Sequence, residues 1–180
     1  MVYVFLADGF EEVEALTPID LLRRAGVQVA TVGVGSTTPT GSHGVTVMTD
    51  LSEDIFLPSD NVEAIVLPGG MPGTKNLEAS ETVKRAIRLA SEEDITVAAI
   101  CAAPSILAHA GLLQGKKATV FPGMERELGE SGTGEALVYD SPFLTARAAG
   151  SAMDFALRLV EIVRGKEAAD KVAASIHYQV

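Results

Sequence analysis

Short runs of consecutive apolar residues alternate along the chain with longer stretches in which apolar positions recur every three or four residues. The runs Val2–Leu6, Val27–Val32, Val45–Met48, Ala64–Leu67, Thr96–Ile100, Ala118–Val120, Ala136–Tyr139 and Phe143–Thr145 have the length and composition of strands. Glu11–Ala25, Glu81–Glu92, Pro104–Ala110, Ser151–Val163 and Lys166–Ser175 carry the period of helices. Gly and Pro clusters such as Pro68-Gly69-Gly70-Met71-Pro72-Gly73 punctuate them. This alternation predicts an α/β fold: a largely parallel sheet with helices on both faces. No repeat, low-complexity tract or linker breaks the pattern, so residues 1–180 read as one domain. In such sheets ligands bind outside the carboxyl ends of the strands. Three strands end there in suggestive residues: Asp8-Gly9, Gly69-Gly70 and Cys101.

Composition narrows the possible functions. Fourteen Lys+Arg against 24 Asp+Glu give a net charge of -10, with no basic run. A chain of that charge is poorly suited to phosphate backbones or anionic membranes, so a nucleic-acid partner is not expected. The longest apolar runs, such as Val97–Ala103, fall far short of a bilayer span. Met1–Leu6 lacks the positive start of a secretory signal and soon meets Asp8. One cysteine, Cys101, excludes an internal disulfide and a multi-cysteine zinc site. A cytoplasmic protein without cofactor or metal is the expectation.

The candidate chemistry begins with Cys101, which closes an apolar strand three residues before Pro104, a residue suited to a first helical turn. A thiol at such a corner faces unpaired helix N–H groups, which favour thiolate, and a sharp turn projects the side chain as a nucleophile elbow does. A buried, inert thiol is the alternative.

In the first helix, a rotation of about 100° per residue places Glu14 on one broad, mostly apolar arc with Ala15, Pro18, Ile19, Leu21, Leu22 and Ala25. Glu12, Thr17, Asp20, Arg23 and Arg24 populate the other side, interrupted by Val13 and Leu16, so Glu12 is expected in solvent. Glu11 lies in the first turn, where negative charge is favoured. Glu14 lies deeper, and a buried carboxyl there holds its proton and can act as an acid or base; a carboxylate at the helix edge reaching water is the alternative. Gly69-Gly70 lets backbone N–H groups approach a reacting oxygen, although Pro-Gly-Gly is also ordinary turn chemistry. His43, His109 and His177 assemble no triad and offer no metal-ligand spacing; His109 lies eight residues past Cys101, roughly 12 Å along a helix.

Glu11-Glu12-Val13-Glu14 with Pro18, Leu67-Pro68-Gly69-Gly70, and Ala98-Ala99-Ile100-Cys101-Ala102-Ala103-Pro104 together resemble the DJ-1 branch of the DJ-1/ThiJ/PfpI superfamily. The resemblance runs from Val2 to about Val172. It implies a flavodoxin-like sandwich that forms a homodimer, with the pocket near the subunit interface. It further implies Cys101 as nucleophile, Glu14 as its protonated partner, and Gly69, Gly70 and the Ala102 N–H as the oxyanion pocket. Asp20, Arg24 and His43 fall where the family places polar residues around the dimer seam.

Two departures stand out. Phe121 occupies the place where some members carry a histidine near the cysteine, which leaves Glu14 as the acid/base candidate. Ala102 follows the cysteine where the peptidase-like branch has histidine, which counts against proteolysis. The resemblance thus implies oxidation sensing through Cys101, or glyoxalase- or deglycase-type chemistry on α-oxoaldehydes and glycated groups. The rival from another class is a non-catalytic, chaperone-type stress dimer.

Overall fold

Strands covered by helices on both faces send alternate residues into two different cores. In β1 (Val2–Ala7), Tyr3, Phe5 and Ala7 enter one core while Val2, Val4 and Leu6 enter the other. The computed structural model describes residues 1–57 and 61–178. Its further elements are α1 (Glu12–Arg24), β2 (Val29–Val34), β3 (Leu51–Ser52), β4 (Ala64–Leu67), α2 (Gly73–Ala79) and α3 (Glu81–Glu92). After these come β5 (Thr96–Ile100), α4 (Pro104–His109), α5 (Glu125–Leu128), β6 (Leu137–Asp140), β7 (Phe143–Ala146), α6 (Ala152–Arg164) and α7 (Lys166–Ser175).

The seven strands form one sheet in the order β3-β2-β1-β4-β5-β7-β6. Every pairing is parallel except β6 with β7. Helices flank both faces, as the alternating pattern implied, and the architecture is the flavodoxin-like α/β fold that the resemblance implied. From β1 the chain winds outward to β2 and β3, then returns to lay β4 on the other side of β1. This reversal opens a crevice at the carboxyl ends of β1 and β4, where open α/β sheets place their ligands.

The first core packs Leu77, Val83, Ile87 and Ile106 against the sheet, and Phe56 stands edge-on to Tyr3 and Phe5, with ring centroids 4.9 and 5.2 Å away. The second packs Ala15, Ile19 and Leu22 of α1 with Phe155 and Leu159 of α6. Each fully buried Leu or Phe stabilises the fold by roughly 1.5–3 kcal/mol relative to exposure. No helix among the described residues is long and apolar enough to cross a membrane.

Two expected strands are absent, for different reasons. Val45–Met48 forms no strand: one bridge joins Thr40 to Thr46, and Met48 is 82% exposed. The sheet edge beside β2 is taken by Leu51 and Ser52, which pair with Val32 and Gly33. Ala118–Val120 is buried, yet it joins only one bridge, Ala118 to Gly132. Its polar backbone is satisfied elsewhere, the Thr119 N–H donating to Thr145 Oγ1 at 3.0 Å. Two short helices, α2 and α5, went unread because Pro72-Gly73 and the segment around Gly123 carry turn residues. The first helix begins one residue later than its pattern implied, at Glu12, because Glu11 caps it by accepting the Glu14 N–H at 2.7 Å.

Candidate active site

Cys101 follows β5 directly and adopts a φ of 65°, the left-handed region that an L side chain enters at a steric cost. Two hydrogen bonds hold this corner. The Cys101 N–H donates to Ala146 O on β7 at 2.9 Å, and Cys101 O accepts the Phe121 N–H at 2.7 Å. The side chain is therefore projected from a strained strand-to-helix turn.

Glu14 reaches the same corner from α1. It has no solvent exposure, as its place on the apolar arc implied. Its Oε2 accepts the Gly69 N–H at 2.9 Å. Its Oε1 is buried and has no hydrogen-bond partner among the described residues. The thiol of Cys101 lies beside this carboxyl and acts on its titration, second to burial. Gly69 separates the two. A Cβ there would stand 2.6 Å from Cys101 Cβ, 2.6 Å from Glu14 Oε2 and 2.9 Å from Ile100 O. Only glycine fits.

The Gly69 N–H is engaged by Glu14, whereas the backbone N–H groups of Gly70 and Ala102 act on the Cys101 sulfur. Of the three expected oxyanion donors, these two act on the Cys101 sulfur. The Gly69 carbonyl accepts the Glu11 N–H at 2.9 Å, which ties the turn to the start of α1.

Burial raises the Glu14 carboxyl to about 7; the thiol and the N–H groups of Gly69 and Ala149 oppose the rise, and the Glu11 charge adds to it. Burial also pushes the Cys101 thiol up to about 12, with the Glu14 charge and hydrogen bonding adding to the rise. These causes oppose the thiolate expected at the helix end. The following helix has six residues, its N-cap is Ala103 rather than Cys101, and burial beside an acid outweighs the N–H groups. Two acids in one buried site lose their protons in steps that belong to the pair. The Glu14 charge opposes a thiolate at Cys101, which is favoured when Glu14 holds its proton.

Glu12 corrects another expectation. It is buried, not solvated, because the loop of residues 41–45 folds over it. Oε1 accepts the N–H groups of His43 at 2.7 Å and Val45 at 3.3 Å, and Oε2 stands 2.9 Å from His43 Nδ1. Burial pushes this carboxyl up, but His43 and the backbone donors outweigh it and hold it at about 2. The same contact raises the fully exposed His43. Nothing in the sequence signalled this clamp, which joins residues 31 apart.

Glu11, Glu12 and His43 bring donor atoms within 4.8 Å of one another, a spacing a metal could span. Glu11 Oε2 already caps α1, and both Glu12 oxygens already hold the loop. The cluster is a loop fastening. Asp20 and Arg24 pair with each other at 2.7 Å on the exposed side of α1.

Two predictions follow from the packing around Gly69. Gly69→Ala should lower stability in urea unfolding by roughly 1–3 kcal/mol, the usual range for forcing a methyl group into a closed space. Glu14, with its folded pKa above its unfolded value of 4.5, stabilises the fold below pH 4.5, and this contribution is lost as pH rises to about 7. Glu14→Gln should therefore unfold at higher urea than wild type at pH 8.5 and lose that advantage at pH 5. The difference should be about 3 kcal/mol. Equal midpoints at pH 8.5 would show that Glu14 reaches water.

A model of the DJ-1/PfpI family matches residues 1–162. The chain is 35% identical to the dj-1beta protein of Drosophila melanogaster over 177 residues, covering 96% of this chain and 94% of that one. It is 31% identical to a protein of Pyrococcus abyssi named as a deglycase, over 91% of this chain and 99% of that one. Among solved structures, oxidized Toxoplasma gondii DJ-1 superposes with a TM-score of 0.95 at 32% identity, covering 99% of this chain and 98% of that one. With this fold, this cysteine corner and likeness along nearly its whole length, the chain belongs to the DJ-1/PfpI family.

Proposed function

We propose that the chain acts as one cytoplasmic domain catalysing cysteine-dependent conversion of α-oxoaldehydes such as methylglyoxal to 2-hydroxy acids. The observation that carries this is Glu14, a fully buried carboxyl poised at about 7 beside Cys101. A general acid/base works best near the operating pH, and a thiolate adds to an aldehyde carbon. The name of the Pyrococcus abyssi relative, a deglycase, lends support, since deglycation would use the same nucleophile on glycated groups.

In the proposed sequence, Cys101 sulfur bonds to the aldehyde carbon and the carbonyl electron pair moves to oxygen, which the Gly70 and Ala102 N–H groups stabilise and Glu14 protonates. Glu14, now carboxylate, removes the hydrogen from that carbon to give an enediolate and returns this proton to the adjacent carbon, while the hydroxyl proton on the first oxygen passes to the second as the thioester carbonyl forms. The result is a thioester of the 2-hydroxy acid. Water cleaves it, releasing lactate from methylglyoxal and restoring the thiol. Carbon oxidation at one centre balances reduction at its neighbour, so no cofactor enters.

Oxidation sensing is the second reading, favoured by one fact: Cys101 has no second cysteine to trap a sulfenate. A non-catalytic, chaperone-type dimer is the rival.

Wild type, Cys101→Ser and Glu14→Gln should be compared for lactate production from methylglyoxal. Both variants should lose at least about a hundredfold in kcat/KM, the lower range for a positioned acid/base. Lactate formation surviving in Cys101→Ser would overturn the enzymatic reading in favour of its rivals.

The proposal includes a homodimer through the outer side of α1, where Val13 and Leu16 are exposed, with Asp20, Arg24 and His43 at the seam. Sedimentation at micromolar concentration should give twice the chain mass, and Val13→Asp should shift the population to monomer. A wild-type chain sedimenting as monomer would remove the seam roles.

A further inference from the structure

His109, at the end of α4, stands between two carboxylates brought by different elements. Its Nδ1 is 2.5 Å from Glu78 Oε1 on α2, and its Nε2 is 2.9 Å from Glu127 Oε2 on α5. A neutral imidazole has one N–H donor and one lone pair, so it satisfies one carboxylate and turns a lone pair toward the other. Both contacts are hydrogen bonds only in the imidazolium.

What these contacts fasten leads to the Cys101 corner from two sides. On one side, the Glu127 N–H donates to Met124 O, the Met124 N–H to Phe121 O, and the Phe121 N–H to Cys101 O, at 2.9, 2.9 and 2.7 Å. This is a continuous strut from α5 to the carbonyl of the strained residue. On the other side, α2 starts directly beyond the glycine turn, and the Thr74 N–H and hydroxyl both donate to Gly70 O at 2.9 Å. We propose that His109 is a protonation-dependent positioning residue: as imidazolium it bridges Glu78 and Glu127 and braces the Cys101 corner, and loss of its proton slackens the Phe121 strut.

The charged surroundings agree. Glu78 from α2 and Glu127 from α5 are the groups that act on His109, and α4 carries no other ionisable side chain. Nearby on α5, Glu125 is engaged by the Gly123 N–H, and Arg126 lines the neighbouring groove with Glu127 and Glu130. Hydrogen bonding to Glu78, then to Glu127, raises the His109 pKa above its ordinary value. Linkage gives the sign: the brace is complete below the ordinary histidine range and is lost as pH rises through the raised value.

The inference concerns the site assigned to Cys101 but needs no turnover, so it can fail independently of the proposed chemistry. The test is amide hydrogen exchange of Phe121 by NMR across pH, corrected for intrinsic base catalysis, with His109 titrated in the same samples. Protection of the Phe121 amide should fall about fivefold as His109 deprotonates, a size suited to a half-exposed charged contact. Glu78→Gln and Glu127→Gln should each lower the His109 midpoint and move the step with it. His109→Asn should show the low protection at all pH values. Glu14→Gln should leave the step where it is. Constant protection across the His109 midpoint, or a step that survives in His109→Asn or moves with Glu14→Gln, would overturn the proposal. If His109→Asn does not fold, the two Glu→Gln variants decide alone.

Discussion

Placing a carboxyl group where water cannot reach it carries a large desolvation cost unless the group keeps its proton or finds donors. Glu14 does both, holding one donor from Gly69 and a pKa near neutrality. The surrounding corner follows from that constraint. Gly69 must lack a side chain so that the carboxyl and Cys101 can approach, and its N–H must point at Glu14 rather than into the pocket. The thiol next to this carboxyl then cannot ionise independently of it. Two acids whose titrations are coupled through one buried corner are the central feature of the site.

Two glutamates a half-turn apart on one helix end in opposite states. Glu14, against the turn, is raised to about 7, and Glu12, under the 41–45 loop, is held at about 2. The difference lies in donor number: several backbone and imidazole N–H groups meet Glu12, whereas one Glu14 oxygen meets none among the described residues. Such a separation gives one carboxylate a static anchoring task, and under the proposed chemistry the other moves the proton. Phe121 fits the same division. It brings no imidazole to the pocket, but its N–H holds the Cys101 carbonyl, so the segment acts through its backbone.

The alternating pattern of the chain was enough to read the layered α/β architecture, five of the helices and most of the strands, because periodicity records which face of an element meets a core. It also read the burial of Glu14, whose neighbours on the arc are apolar, and the corner at Cys101, which needs only a strand end and a proline. Gly69 gained its meaning from the resemblance to a family, since Pro-Gly-Gly alone is turn chemistry.

Tertiary structure decided what depends on residues distant in sequence. Val45–Met48 has the composition of a strand but joins no strand of the sheet, and the place beside β2 is taken by Leu51 and Ser52. Glu12 lies on the polar arc of its helix and is buried only because a loop some thirty residues later closes over it. The thiolate expected of Cys101 is opposed by burial and by the charge of an acid that lies 87 positions earlier in the chain. Periodicity and motif report interactions within a few residues. Desolvation and charge coupling depend on every atom within a few ångströms, whatever its place along the chain, and so they are determined only once the chain has folded back on itself.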